Sequence, residues 1–490
     1  MSAGTDTNGS PGPKLEEPLS KAHTIFSERR KICYILTCTS ISFLGPMAGT
    51  MYFPALGPLA EALGVSDSDI NFTITTYKLV QALAPLLTAP VSDKEGRRPV
   101  FLASLVVFLG SNIGLALQTN YVALLLLRLL QSFGSGSVTI VSGATITDLV
   151  ARGERGKYMI YSSLGSNVGM AIGPVIGGIL AQFWGWRSLF WFLVIITGPP
   201  LVIMLSSFPE TCRSIVGDGS ISPQWWNRNM SEMLLGPKHS KTVNYETQAT
   251  FKRRPSILNT LKLLWDRHMA LLTTSSALFA SGVTVVLATL PTTMEAKYGF
   301  NPLQVGLCYI PYAVGSLTAR WTAGSLVDWN FKRHASRVGI LVEPNRAESR
   351  QQQQLIPVEK ARLELLLPFL YFSSLAIVAY GWTMNYRIHL SGPLVLLFFL
   401  GNGTAGVNSI LSTLVVDLHA NQAGSALAAV NAVKNLSAAA AAAAAVPMVD
   451  SLGFGWSGVV LAGLWTLISP GLWLVYFRGH IWRQTSSTEL

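Results

Sequence analysis

Apolar runs of about twenty residues, separated by short polar connections, recur along most of this chain. A helix of about 20 apolar residues crosses the hydrocarbon core of a bilayer. On that ruler the pattern predicts twelve membrane-spanning helices, over residues 32–55, 70–91, 98–117, 121–147, 157–181, 187–208, 268–292, 303–327, 364–384, 391–416, 422–449 and 454–477. The fourth, tenth and eleventh are long and broken by Gly, which suits helices that tilt or extend past the bilayer. Between and around the runs lie polar stretches. Residues 1–30 form a Ser/Gly/Pro-rich tail read as disordered, 209–267 a linker, 329–363 a further loop and 479–490 a second tail.

The polar positions also give a direction. Of the 36 Lys and Arg, Lys78, Arg128, Arg320 and Lys434 fall within spans, and only Arg187, Lys297 and Arg387 lie in the connections on one side. The remaining 29 sit in the tails and in the connections on the other side. Basic connections stay in the cytoplasm, so both termini are expected there. Only 12% of the 490 residues are charged, about half the usual fraction for a soluble protein. The net charge of +11 is therefore read as membrane topology and not as a nucleic-acid surface. Cys33, Cys38, Cys212 and Cys308 show no CxxC spacing and are read as free thiols.

Two connections carry the same signature, with Asp93 and Asp328 lying 235 residues apart. The first reads Ala89-Pro90-Val91-Ser92-Asp93-Lys94-Glu95-Gly96-Arg97-Arg98, the second Gly324-Ser325-Leu326-Val327-Asp328-Trp329-Asn330-Phe331-Lys332-Arg333. Each follows the second span of a half. The chain thus reads as two copies of one unit, residues 31–208 and 268–478, and the fold class as all-α with two pseudo-symmetric six-helix bundles. An Asp at a helix end beside basic groups makes a latch that can form in one conformation and break in another. Asp93, Gly96, Arg97, Arg98, Gly324 and Asp328 are the candidates for such a switch.

Two spans carry further chemistry. Arg128, Gln131 and Gly134 lie within the fourth, where a charge faces a cavity or a partner. The fifth carries Gly169, Gly173 and Gly177 at four-residue spacing, a face for close helix contact, with Pro174 and Gly178 beside it. Taken with these motifs the chain resembles the major facilitator superfamily, whose loop has the form Gly-x-x-x-Asp-x-x-Gly-Arg-Arg. Ala89 replaces the first Gly, and the second copy is degraded after Asp328. The arginine motif resembles one linked to proton coupling, and Gly-x-x-x-Gly-Pro-x-x-Gly-Gly resembles the signature of drug:proton antiporters. With Tyr52-Phe53-Pro54, Pro209-Glu210-Thr211-Cys212-Arg213 and Asn431 to Lys434, residues 30–480 are similar to the fungal twelve-span drug:proton antiporters, including the quinidine-resistance-like group. Lys78 departs from that pattern, where an apolar residue is expected, as does Lys434, where Arg is expected.

The resemblance implies alternating-access export of a small organic molecule (a drug, toxin or secondary metabolite) in exchange for protons. It implies the plasma membrane, with the proton gradient as energy source and no cofactor, and a monomer in the lipid bilayer is the default expectation. A cavity between the halves needs polar and aromatic groups from both. The candidates are Tyr52, Thr76, Tyr77, Lys78, Gln81 and Asn167 in the first half and Tyr309, Tyr312, Arg320, Asn402, Asn408, Asn431 and Lys434 in the second. No acidic residue lies at the middle of a span. Lys78 and Arg320 raise an alternative, an exporter of di- or tricarboxylates, and a transporter-like receptor that moves nothing is a further one. An enzyme is disfavoured, because no Walker A, HExxH or GxSxG motif occurs.

Overall fold

A computed structural model describes residues 24, 26–150, 155–217, 221, 223–235, 263–339, 357–386, 388–419 and 423–488. Among these the protein is helical apart from an isolated bridge at Ile221. The first half comprises α1 (Glu28–Thr50), α2 (Leu56–Leu63), α3 (Asp67–Glu95), α4 (Arg97–Leu117), α5 (Tyr121–Leu149), α6 (Arg155–Trp184) and α7 (Arg187–Ser206). The short helices α8 (Arg213–Val216) and α9 (Met230–Leu235) follow. The second half comprises α10 (Arg267–Tyr298), α11 (Pro302–Cys308), α12 (Ile310–Ala319), a π turn (Arg320–Gly324), α13 (Ser325–Arg337), α14 (Val358–Asn385), α15 (Ser391–Leu418), α16 (Ala423–Leu467) and α17 (Ser469–Thr488).

Local chemistry sets the helix ends. Ser66 and Asp69 form a reciprocal capping box that starts α3, and Asn301 and Gln304 form another ahead of Pro302 at α11. Asn120 accepts from Ala123 N at 2.7 Å to open α5. Gly64 and Gly299 close α2 and α10 in the left-handed conformation. Prolines interrupt many of these helices, which neighbouring helices make tolerable in lipid.

Nine described helical stretches are long and apolar enough to cross a membrane, against the twelve spans expected. The three differences have visible causes. Helix α3, over the second expected span, is not among the nine; it carries Lys78, Asp93, Lys94 and Glu95. Residues Gly424–Gly479 count as one stretch although Gly453, at φ 74°, bends the chain between the eleventh and twelfth expected spans. The chain from Pro302 to Arg337, over the eighth expected span, is likewise outside the nine and is divided by the π turn.

Within the first half α1 packs on α6 and α5, and α4 packs on α5 and α7. Within the second, α10 and α14 pack on α16, and α12 and α14 on α15. A buried anchor is Trp465, whose indole N–H donates to Leu278 O at 2.9 Å while its ring stacks on Phe279 at 4.3 Å. The halves meet where α3 packs on α16 and where α6 packs on α11 and α12.

Candidate functional site

Arg128 is enclosed, with 1% of its surface exposed. It lies on the second turn of α5 and donates from Nη1 to Gln131 Oε1 at 2.6 Å, one turn on. Gln131 Nε2 donates to Asn112 Oδ1 at 2.7 Å, and Asn112 Nδ2 to Phe108 O at 2.6 Å. Gly134 makes this chain possible. A Cβ there would come within 2.7 Å of Ser104 O and 2.9 Å of Phe108 Cβ, so its absence lets α5 approach α4.

No carboxylate pairs with Arg128 among the described residues. Its guanidinium instead lies 4.0 Å from the Tyr52 ring centroid and 4.3 Å from that of Tyr77. The phenols are themselves tied down. Tyr52 shares a proton with Thr73 Oγ1 at 2.9 Å, and Tyr77 donates to Gly45 O at 3.1 Å. A cation at the centre of a bilayer costs about 2.5–3.5 kcal/mol on insertion scales. Two desolvated cation–π contacts at about 2 kcal/mol each offset that. Tyr52 and Tyr77 therefore serve as walls around Arg128 and do not face an open cavity, as the sequence had suggested.

The Asp93 loop is a second charged assembly. Arg97 opens α4 and binds Asp93 four residues back, across the Gly96 break, and donates from Nε to Asp148 Oδ2 at 2.9 Å and from Nη1 to Ser92 Oγ at 3.0 Å. Glu210, which motif reading noted without giving it a role, sits beneath the loop. Its carboxylate accepts backbone N–H bonds from Arg97 at 2.9 Å, Arg98 at 3.1 Å, Thr211 at 2.9 Å and Cys212 at 2.8 Å. Burial raises the Glu210 carboxyl above the ordinary carboxylate range, while these four donors pull it down. Gly96, at φ 115°, faces this carboxylate so closely that a Cβ would overlap Glu210 Oε2. Arg98 donates to Met204 O and Leu205 O at the end of α7, where a cation suits the helix dipole. The start of the expected linker is thus part of the loop assembly.

In the second half Glu364 of α14 takes the central place. It accepts from Asn330 Nδ2 at 3.1 Å and Arg333 Nη2 at 3.1 Å, and meets His334 Nε2 at 2.8 Å. Arg362 binds Asp417 at 3.1 Å beside it. The side chain of Asp328 lies outside the described residues. Gly324 ends the π turn, and a Cβ there would have open space.

On α6, Gly165, Gly169, Gly173 and Gly177 form one face at four-residue spacing. A Cβ on any of them would strike α1, at Thr39, Phe43, Thr50 and Met51 respectively. The next face meets the other half: a Cβ on Gly178 would come 2.6 Å from Pro302 O, and one on Gly306 2.6 Å from Pro174 O. Nearby, Phe53 stacks on Tyr309 at 5.9 Å, and Gly57 leaves room for Glu295. The halves therefore close on each other at the end opposite the Asp93 loop. Below this closure a cavity of about 20 Å³, room for little more than one water, is lined by Thr50, Phe53, Met170, Pro174, Tyr309 and Tyr312.

The other candidates are dispersed. Thr76 is half-buried and donates to Thr73 O at 2.9 Å. Asn402 is nearly buried and bound to Thr318 at 3.0 Å and Thr322 at 3.1 Å, which occupies the amide expected to meet a ligand. Asn167, Arg320 and Asn408 are exposed, Asn167 on the helical face of Met170 and Pro174. Lys78, Gln81, Asn431 and Lys434 are half-buried near the α3–α16 seam.

A family model described as "Major Facilitator Superfamily" matches residues 38–442. The chain belongs to this superfamily. It is a multi-pass membrane transporter and not an enzyme, and its relatives agree. It is 39% identical over 466 residues to "MFS-type transporter clz19" of Cochliobolus lunatus, covering 95% of this chain and 87% of that protein. It is 30% identical to "Multidrug transporter QDR2" of Candida glabrata, covering 93% and 81%. The fold is similar to that of the "D-xylose-proton symporter", with a TM-score of 0.62 at 16% identity over 90% of this chain and 97% of that one. A human "organic anion transporter MFSD10 (TETRAN)" gives a TM-score of 0.57 at 18% identity over 91% and 100%. Motif reading and family membership thus coincide.

Proposed function

We propose that this superfamily transporter exports small organic molecules by alternating access, in exchange for protons. The observation that carries the reading is the α6 seam. The residues that resemble the antiporter signature are those that bring α6 against α1 in its own half and α11 in the other. Small residues let helix backbones approach closely, so the α1 face fixes α6 in its own half while Gly178 against Gly306 brings the two halves together. The similarity to a protein named a multidrug transporter supports a small organic substrate and the outward direction. The distribution of Lys and Arg supports cytoplasmic termini, with the Asp93 loop on that side, and export supports the plasma membrane. On that orientation the conformation seen is closed on the outer side. Arg128 is the candidate for coupling: protonation elsewhere in the protein would alter which groups share its charge.

The test is substrate-triggered proton movement in proteoliposomes, with a panel of drug-like and metabolite-like compounds. A compound should drive proton flux through the native protein and none through Arg128→Ala. Compounds that exchange with one another while no proton moves would overturn proton exchange.

A further inference from the structure

From the α3–α16 seam we infer that Lys78 and Lys434 together bind the anionic group of the transported molecule, so that the substrate class is a small organic anion. The inference rests on the transporter reading above and deepens it.

Each of the two facing helices carries an ammonium and an amide one turn apart. Lys78 and Gln81 lie on α3, Lys434 and Asn431 on α16. Lys78 Nζ donates to Gln81 Oε1 at 3.2 Å. Lys434 lies close enough across the seam for its charge to act on Lys78, as does Arg128 from α5. Among the described residues no carboxylate pairs with either lysine. Three cations therefore converge in one region without a counter-charge. Charges inside a membrane protein pair with one another or face a pathway, and buried like charges repel strongly where water is scarce. The protein supplies the aromatic cage for Arg128 alone.

Snorkelling does not account for Lys78. Its ammonium would have to reach back along α3 toward Asp67, the near end of the helix. It is bonded instead to Gln81, which lies further from that end. At about 1.5 Å per residue, Lys78 is about 16 Å in from Asp67, close to mid-depth of a hydrocarbon core of about 30 Å. Both lysines are half-buried on the seam where the two halves pack, the place at which alternating access opens and closes a path. A carboxylate, sulfonate or phosphate group would accept from both ammoniums and from the Asn431 amide; among the described residues Lys78 has the neutral Gln81 amide and no carboxylate takes that place.

Three probes on one ring system separate the possibilities: naphthalene-2-sulfonate, the neutral naphthalene-2-sulfonamide and a naphthyl trimethylammonium. In proteoliposomes the sulfonate should move about tenfold faster than either of the others, and Lys78→Met and Lys434→Met should each remove that preference. Thermal unfolding is measured alongside. Without ligand each Met variant should keep or raise the native Tm, since a repelling charge is lost, and the stabilisation that the sulfonate gives the native protein should vanish. Equal transport of all three probes, or Met variants that handle the sulfonate as the native protein does, would overturn the inference while leaving transport intact. A Lys-dependent Tm shift without movement of any probe would keep the anion site and count against export. Neither transport nor a Tm shift would overturn the site. A Lys-dependent shift given by phosphatidylglycerol and not by the sulfonate would assign it to a lipid headgroup and overturn the substrate role.

Discussion

The loop ends of the two halves each set a buried arginine on an aspartate, Arg97 on Asp148 and Arg362 on Asp417, and differ in the charges gathered around that pair. In the first half a cation, Arg97, is held by Asp93 and Asp148, with side chains of Arg97 and Asp148 only 10% and 14% exposed. In the second an anion, Glu364, collects Asn330, Arg333 and His334, with Arg333 and Glu364 each 33% exposed. The first assembly also has a floor, because Glu210 reaches up from the chain beyond α7 to hold four backbone N–H groups. Repetition of the unit therefore preserves a buried arginine on an aspartate, and the halves differ in the acid beside it, the buried Glu210 in the first and the more exposed Glu364 in the second. The degraded second copy is compensated by partners on α14, which the motif itself does not contain.

The widest gap between the two should appear on removing the central acids. Glu210→Ala orphans buried donors and should cost about 4 kcal/mol, whereas Glu364→Ala, at a third-exposed site, should cost about 1 kcal/mol. Thermal unfolding of the purified variants measures both, and equal losses would erase the contrast in depth. Next come the paired glycines. Gly96→Ala forces a side chain into a positive-φ position against Glu210 and should cost about 3 kcal/mol. Gly324→Ala meets open space and should stay within about 0.5 kcal/mol of native stability. A severe Gly324→Ala defect would mean that the π turn closes on something in another conformation. Arg97→Lys, which keeps the charge and loses the fork that serves two carboxylates, should cost about 1.5 kcal/mol, less than either first-half change above. Its transport rate should fall more than its Tm, because a latch that breaks and reforms is a matter of kinetics.

What sequence could supply was set by distance along the chain. Arg128 and Gln131 at three residues and the α6 glycines at four follow helical geometry, and Asp93 and Arg97 are four residues apart across the Gly96 break, so all are visible as spacing. Gly165 lies on the same spacing, one step before Gly169. Asn112 behind Gln131, Asp148 on Arg97, Glu210 beneath the loop and Lys78 facing Lys434 are different. Each joins segments whose packing partners periodicity does not name. The aromatic cage was also hidden, since Tyr52 and Tyr77 in apolar spans look alike whether they line a cavity or enclose a cation. The expected twelve spans meet a similar limit: composition marks the apolar stretches, but the Gly453 bend and the charged α3 decide how the helices are counted.

The α6 seam has a consequence for the balance of conformations. Interlocked side chains make notches, so that each arrangement of two helices is separated from the next by a barrier of unpacking. Gly178 against Gly306, where the halves meet, sets backbone against backbone with no side chain between. Two positions of such a bearing differ little in buried area, so their populations lie within reach of a modest bias. A bound molecule that favours one of them by a few kcal/mol is then enough to carry most of the protein across.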